Sequence, residues 1–293
     1  MNKETIKAIL DLIEKNPELI KLAESTMKTQ LGLAAFIKSA WPFIDGSKYI
    51  HNWHIDCISE HLEALFNREI KKLIICIPPR MGKSQICSVC FPAWVWTKDP
   101  TQQIYSASYS RELCDRDSWR SRLLISSEWY QSQWGSLFSL ATDSNRKNFY
   151  HNNKGGYRLS LSTQAGSTGH GYDILIIDDP HKATDVVSRS KREAVIHWYT
   201  DAISTRANNN NAVQIVIGQR LHHKDLIGFL IDSSDWEILK LPMEYIPTTY
   251  VTKIGWKDPR RYKGELLFPA RFNDEDVAKL KLSLKTPANI AAQ

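Results

Sequence analysis

Three short apolar runs limit what this chain can fold into: Leu73-Ile74-Ile75-Cys76-Ile77, Ile174-Leu175-Ile176-Ile177 and Val213-Gln214-Ile215-Val216-Ile217. Such runs are too short for buried helices and too continuously apolar for a half-exposed strand, so each reads as a strand covered on both faces. Helical patterns lie between them. That alternation predicts an α/β fold with a mostly parallel central sheet flanked by helices. Each run ends in polar chemistry: Pro78-Pro79-Arg80-Met81-Gly82-Lys83-Ser84, then Asp178-Asp179, then Gln219-Arg220. Ligands of such sheets bind beyond the C-terminal strand ends, and one sheet edge can bring all three groups together.

The first run has the layout of a phosphate-binding loop: buried strand, tight turn, Gly82-Lys83-Ser84, then a segment that can be helical. The turn from Pro79 through Gln85, by the backbone N–H groups that follow Pro79 and those at the start of that helix, can surround an anion. Lys83 would reach the β- and γ-phosphates, and the Ser84 hydroxyl would sit on Mg²⁺. The pattern G-x-x-x-x-G-K-[ST] is not fully met, because Ile77 stands where its first Gly belongs. Asp178, ending a hydrophobic strand, has the place of a Mg²⁺-holding carboxylate. Asp179 would then be free to polarise an attacking water. The bland alternative is a pair of acids capping a loop. Gln219 has the place of a γ-phosphate sensor, against an ordinary polar strand end. Trp53 and His54, one helix upstream of the loop, could stack on adenine, or Trp53 could be one more core residue among ten Trp. Arg111, Arg116, Arg120, Arg158 and Arg206 are all open as trans-acting fingers, backbone contacts or ion pairs. His222-His223 carries no ligand spacing and is not expected to hold a metal.

The 293 residues carry a net charge of +6 with a pI near 8.9, which suits a polyanionic partner without requiring one. Five cysteines, an odd number, argue for a reduced protein. Cys87-Ser88-Val89-Cys90 has no second cysteine pair and is expected to pack in the core. The N-terminus is amphipathic rather than a signal peptide, and no apolar run approaches a membrane span.

Along the chain, helices are expected from Asn2 to Ser39 with a break at Asn16-Pro17, then a loop from Trp41 to Tyr49 and a helix over Ile55–Phe66. Further strands are expected at Gln103–Ser108, Gly156–Ser162 and Trp236–Leu241. Helices are expected at Arg111–Ser126, near residues 190–207, from His222-His223-Lys224-Asp225-Leu226 and from Asn273. Glu128 to Asn148 shows no usable period. Gly166 to Gly171 reads as a flexible loop.

Taken in order, these pieces resemble the large subunits of tailed-bacteriophage terminases, the motors that package DNA. Pro-Pro-Arg-Met-Gly-Lys-Ser resembles that family's Walker A, which often lacks the first Gly. The resemblance continues through Tyr105–Ser110, Gly166–Asp173, Ile176–Pro180, His197-Trp198-Tyr199, Ser204-Thr205-Arg206, Gly218–Leu226 and Lys263–Phe272. It implies a RecA-like ASCE P-loop NTPase with an N-terminal helical subdomain. Lys83 and Ser84 would bind phosphate and Mg²⁺, Arg80 would be the Walker A arginine and Asp178 the Walker B acid. Asp179 would replace the glutamate many relatives use, and Gln219 would lie in the coupling motif where many relatives have a small hydroxyl residue. Implied cofactors are ATP and Mg²⁺. Implied partners are double-stranded DNA, the portal protein and the small terminase subunit, with a homo-oligomeric ring when active, a monomer in isolation, and no membrane. The implied location is the host cytoplasm.

The expected organisation is a helical segment over residues 1–50, an ATPase core over 51–245 and a linker over 246–293. Relatives continue into an RNase H-like nuclease, whose acidic triad is not found in this sequence, so nuclease activity is not expected. A helicase-like ATPase, a nucleic-acid-binding module with a decayed P-loop and a nuclease stand as rival readings.

Overall fold

The structure, a computed structural model, describes residues 31–142, 146–163, 165 and 169–284. The expected helices before residue 31, the first half of the Gly166–Gly171 loop and the last nine residues lie outside these. Among the described residues the helices are α1 (Leu33–Ile44), α2 (Trp53–Phe66), α3 (Phe91–Lys98), α4 (Arg111–Ser126), α5 (Glu128–Trp134), α6 (Arg189–His197), α7 (Leu226–Ile231) and α8 (Asp274–Leu284). The strands are β1 (Lys72–Cys76), β2 (Ile104–Ser108), β3 (Phe149–His151), β4 (Tyr157–Ser162), β5 (Ile174–Asp178), β6 (Val213–Gly218) and β7 (Glu237–Lys240).

They form one seven-stranded sheet in the order β3-β4-β2-β5-β6-β1-β7. Every pairing is parallel except β3 with β4 at the edge. The loop strand β1 and the acidic strand β5 are therefore separated by β6, the RecA-like ASCE arrangement. The branched runs sit in three adjacent interior strands, β5, β6 and β1, because alternate side chains enter two different cores. Leu73, Ile75, Ile174, Ile176, Ile215 and Ile217 pack with α1, α2 and α3. Ile74, Leu175, Ile177 and Val216 pack on the other face with Trp198, Tyr199, Leu226 and Leu230. Each such burial is worth about 1.5–3 kcal/mol. Parallel register sets Cys76 beside Gly218 and Lys240, and Asp178 beside Ile217. The loops after β1, β5 and β6 thus leave from one edge of the sheet.

Several elements differ from the sequence expectation. Trp41-Pro42-Phe43 is the last turn of α1 rather than a loop. Pro42 forfeits one helical hydrogen bond, but the turn buries Trp41, whose Nε1 donates to the Ser47 carbonyl at 3.0 Å, and stacks Phe43 on Trp129. The unreadable stretch after Glu128 holds α5, N-capped by the Ser127 hydroxyl at 3.2 Å from Tyr130 N. His222-His223 precedes α7 instead of lying on it; their rings stack at 4.3 Å. Among the described residues no group of three potential ligands is placed to hold a metal. Cys87 and Cys90 are fully buried thiols in the core.

Residues 242–272 fold back over α2 and β7. Arg260 is the knot: it pairs with Asp258 at 2.8 Å and donates to the carbonyls of Pro242 and Glu265. Its guanidinium lies over the rings of Trp53 and Tyr245, 5.4 and 5.2 Å from their centroids.

Candidate functional site

The turn after β1 is built without its missing glycine. Ile77 N donates to the Gly218 carbonyl at 3.2 Å, so Ile77 continues the strand ladder and needs no special backbone freedom. The left-handed positions come later, at Arg80 (φ 64°) and Gly82 (φ 78°). Interrupting negative φ with such residues turns successive N–H groups inward, the geometry of an anion nest. For Arg80, a side-chain-bearing residue, that backbone costs about 1 kcal/mol. Its side chain is exposed.

Lys83 is buried, and its ammonium lies 3.3 Å from Asp178 Oδ1 and also on Asp179 Oδ2. Burial alone would pull its pKa down, but the two carboxylates outweigh burial and hold it above the ordinary lysine range. The Asp179 pKa is raised as well, which for a carboxyl favours the neutral form. Burial raises its pKa, as does Asp178, against the Lys83 charge. Asp179 also has a left-handed backbone, φ 48°, fixed by bonds from Asp179 N to the Ile217 carbonyl and from Tyr109 N to the Asp179 carbonyl. That turn at the strand end swings its carboxylate toward Lys83. The second oxygen of Asp178 accepts from Ser88 Oγ at 3.0 Å. Ser84, Ser88, Ser106, Asp117, Arg158, Asp178 and Asp179 line one narrow polar crevice. Its hard oxygens, the Asp178 carboxylate and the Ser84 hydroxyl, have the chemistry that Mg²⁺ prefers.

Lys83, Ser84, Asp178 and Asp179 are thus brought together as the sequence suggested. Gln219 is at the same sheet edge but lines a different space, a cavity of about 600 Å³ bordered by Pro78, Arg220, Lys240, Tyr245, Tyr250 and Trp256. This cavity lies away from the Lys83–Asp178 pair, whose own crevice has room for little more than water. What distinguishes that crevice is the buried ion pair of Lys83 with Asp178 and Asp179.

The loop that follows Gln219 is tied down by Asp225. Asp225 accepts from Leu221 N, His222 N and Gly228 N at 2.8–3.1 Å and pairs with Arg220 at 3.4 Å. His181, just past Asp179, accepts from Leu226 N at 2.9 Å. Burial lowers its pKa, which keeps the ring neutral and able to accept.

Trp53 and His54 do not form a base platform. Trp53 stacks on Trp256 with centroids 5.8 Å apart and carries Arg260 over its ring, because residues 242–272 cover it. His54 is buried behind the turn. Its Nε2 donates to the Met81 carbonyl at 3.0 Å, while its Nδ1 accepts from Asn52 Nδ2, which also donates to the Leu267 carbonyl. Burial lowers the His54 pKa to about 4, consistent with this neutral tautomer. His54 thus braces the phosphate loop from behind. Gln85 is turned to Asp45 Oδ2 at 3.2 Å.

Of the five arginines left open, Arg158 is buried on β4 and cannot reach across to another subunit. Arg116 makes a two-point pair with Asp117, at 2.8 and 3.1 Å, and Arg111 pairs with Asp115 at 3.7 Å.

Sequence reasoning missed Ser88 and Asn52, and left Arg158 open among five arginines. For Ser88 a signal was present. Pro92 has no N–H, and its ring crowds the carbonyl four residues back, which is that of Ser88. The segment Gln85–Cys90 accordingly opens into a wide π turn before α3 begins.

No protein-family model matches the chain, and no curated protein does. Solved structures give similarities. The HK97 bacteriophage large terminase matches at 14% identity and a TM-score of 0.48, over 75% of this chain and 44% of that one. A mutant ATPase domain of the Thermus phage P74-26 large terminase matches at 11% identity and 0.43, over 69% and 84%. A large terminase of a thermophilic bacteriophage, in complex with ADP, matches at 10% identity and 0.45, over 78% and 50%. The chain spans less than half the length of the HK97 protein.

Proposed function

We propose that this chain is the ATPase domain of a viral DNA-packaging motor, a terminase large subunit. The carrying observation is the buried Lys83 ammonium held by Asp178 and Asp179 behind a turn with left-handed Arg80 and Gly82. A lysine, two carboxylates and an anion nest at one parallel-sheet edge form the part list for phosphoryl chemistry. The ordered motifs of the sequence resemblance supply the rest.

In this reading Lys83 leaves the carboxylates when ATP arrives and transfers its charge to the β- and γ-phosphates. Ser84 and Asp178 would hold Mg²⁺, which neutralises phosphate charge when bound. Asp179 orients a water for in-line attack on the γ-phosphorus. The new oxygen–phosphorus bond forms as the bond to the β–γ bridging oxygen breaks, and the water's proton passes to the Asp179 carboxylate. Its raised pKa suits a proton acceptor. Arg80, exposed beside the turn, approaches the γ-phosphate in cis. Gln219, on the Asp225-anchored loop, couples hydrolysis to movement. The base is not assigned to Trp53. Double-stranded DNA is the track, the portal protein and small terminase subunit are the partners, and a ring in the host cytoplasm is the working state. The isolated chain is expected to be a monomer with weak turnover.

Isothermal titration of the purified chain with ATP and Mg²⁺ tests this reading. Micromolar to sub-millimolar binding and slow hydrolysis are expected, both lost in Lys83→Ala. Turnover unaffected by that substitution overturns the site. Absence of binding favours a nucleic-acid module with a decayed loop.

A further inference from the structure

Asp178 is held at both oxygens, by Lys83 on one and by Ser88 on the other. If Lys83 moves to a bound phosphate, Ser88 is the side-chain donor that remains on the carboxylate among the described residues. Ser88 is itself fixed, and by an unusual route. Its carbonyl would ordinarily accept from the N–H four residues on, but that residue is Pro92, which has none. The carbonyl is instead taken by Arg158 Nη2 at 2.6 Å, from the neighbouring face of β4. Arg158 is 1% exposed, and its Nε and Nη1 have no hydrogen-bond partner among the described residues. An arginine is expensive to bury without full pairing, so its position demands a role. The chain from Arg158 to the Ser88 carbonyl, and from the Ser88 hydroxyl to Asp178 Oδ2, supplies one.

We propose that Ser88 is a positioning residue for the metal–nucleotide site. Pro92 and Arg158 together set its hydroxyl so that Asp178 keeps its orientation after Lys83 has left. The inference rests on the reading of Lys83, Ser84 and Asp178 given above. It adds that the carboxylate's aim in the nucleotide-bound state depends on a residue outside the glycine-lysine-serine turn.

The test is a fluorescence titration with mant-ATP, run at increasing Mg²⁺ and separately in EDTA. Ser88→Ala should raise the Mg²⁺ concentration at half-saturation about tenfold, the effect of losing one hydrogen bond to a charged group. Its affinity for mant-ATP in EDTA should stay within about twofold of the parent. Ser88→Thr should restore the parent midpoint, and Ser88→Cys, similar in size but a weaker donor, should fall between. An unchanged Mg²⁺ midpoint in Ser88→Ala overturns the inference, as does an equal loss in EDTA, which would mean a structural defect only. In either case the functional reading survives, since the parent protein still binds mant-ATP with Mg²⁺ dependence. A parent protein that binds no mant-ATP overturns both.

Discussion

Replacing Lys83 by methionine keeps the length of the side chain and removes its charge. Asp178 and Asp179 would then face each other inside the protein with no cation between them. At 3.3 Å the Lys83–Asp178 attraction is ~5 kcal/mol for an effective dielectric constant of about 20. Desolvation offsets part of that, and removal of one partner from a buried pair typically costs about 3–5 kcal/mol. A loss of that size should lower the melting temperature by roughly 10 °C in a chain of this length. The pH dependence carries the sharper test. Asp179 already has a raised pKa, from burial first and Asp178 second, and Lys83 is what restrains it. Without Lys83 the folded-state pKa rises further above the unfolded value. The folded protein then binds more protons than the unfolded one, so the deficit is largest at high pH and shrinks as pH falls through the raised pKa. Thermal melts of Lys83→Met and the parent at pH 8 and pH 5.5 should converge toward the lower pH. Adding Asp179→Asn should recover much of the loss at pH 8, because one buried charge is gone. A variant that melts like the parent at pH 8, or whose deficit does not depend on pH, would refute the claim that Lys83 neutralises the carboxylate pair.

Two further outcomes follow from the same structure. His54 has its pKa lowered from 6.5 to about 4 by burial, so its stabilising share is complete above pH 6.5 and is lost as pH falls toward 4. At pH 5 that loss is about 2 kcal/mol. His54→Gln, which keeps an N–H for the Met81 carbonyl and cannot titrate, should show an acid-induced loss smaller by that amount in urea melts; an identical loss would show that His54 does not titrate as its burial implies. At Arg80, glycine should relieve the left-handed backbone and raise stability by up to about 1 kcal/mol. Turnover should drop at least about tenfold for want of one charge-assisted contact to the γ-phosphate. Unchanged ATP hydrolysis by Arg80→Gly would remove the arginine from the site.

The sequence by itself determined the sheet, its parallel sense and the edge at which the chemistry gathers. Continuous branched runs such as Ile174–Ile177 can only be satisfied by cover on both faces, and polar residues that end such strands must emerge at one rim. The meeting of Lys83, Ser84, Asp178 and Asp179 was legible for that reason: each follows directly from a strand end. What depended on distant packing was not legible. Trp53 reads as a free aromatic until residues 242–272 fold back and lay Trp256 and Arg260 on it. The last turn of α1 survives Pro42 because Trp41 and Phe43 find aromatic partners elsewhere in the chain. Gln219 follows the right strand, yet the order of β6, β1 and β7 puts it on the wall of the larger cavity. Ser88 and Arg158 lie far apart in sequence and meet only because β4 passes behind the turn that Pro92 opened. A strand end is fixed by its own residues and the periodicity of the backbone, whereas the partner of a side chain is fixed by whatever the rest of the chain brings within hydrogen-bonding distance.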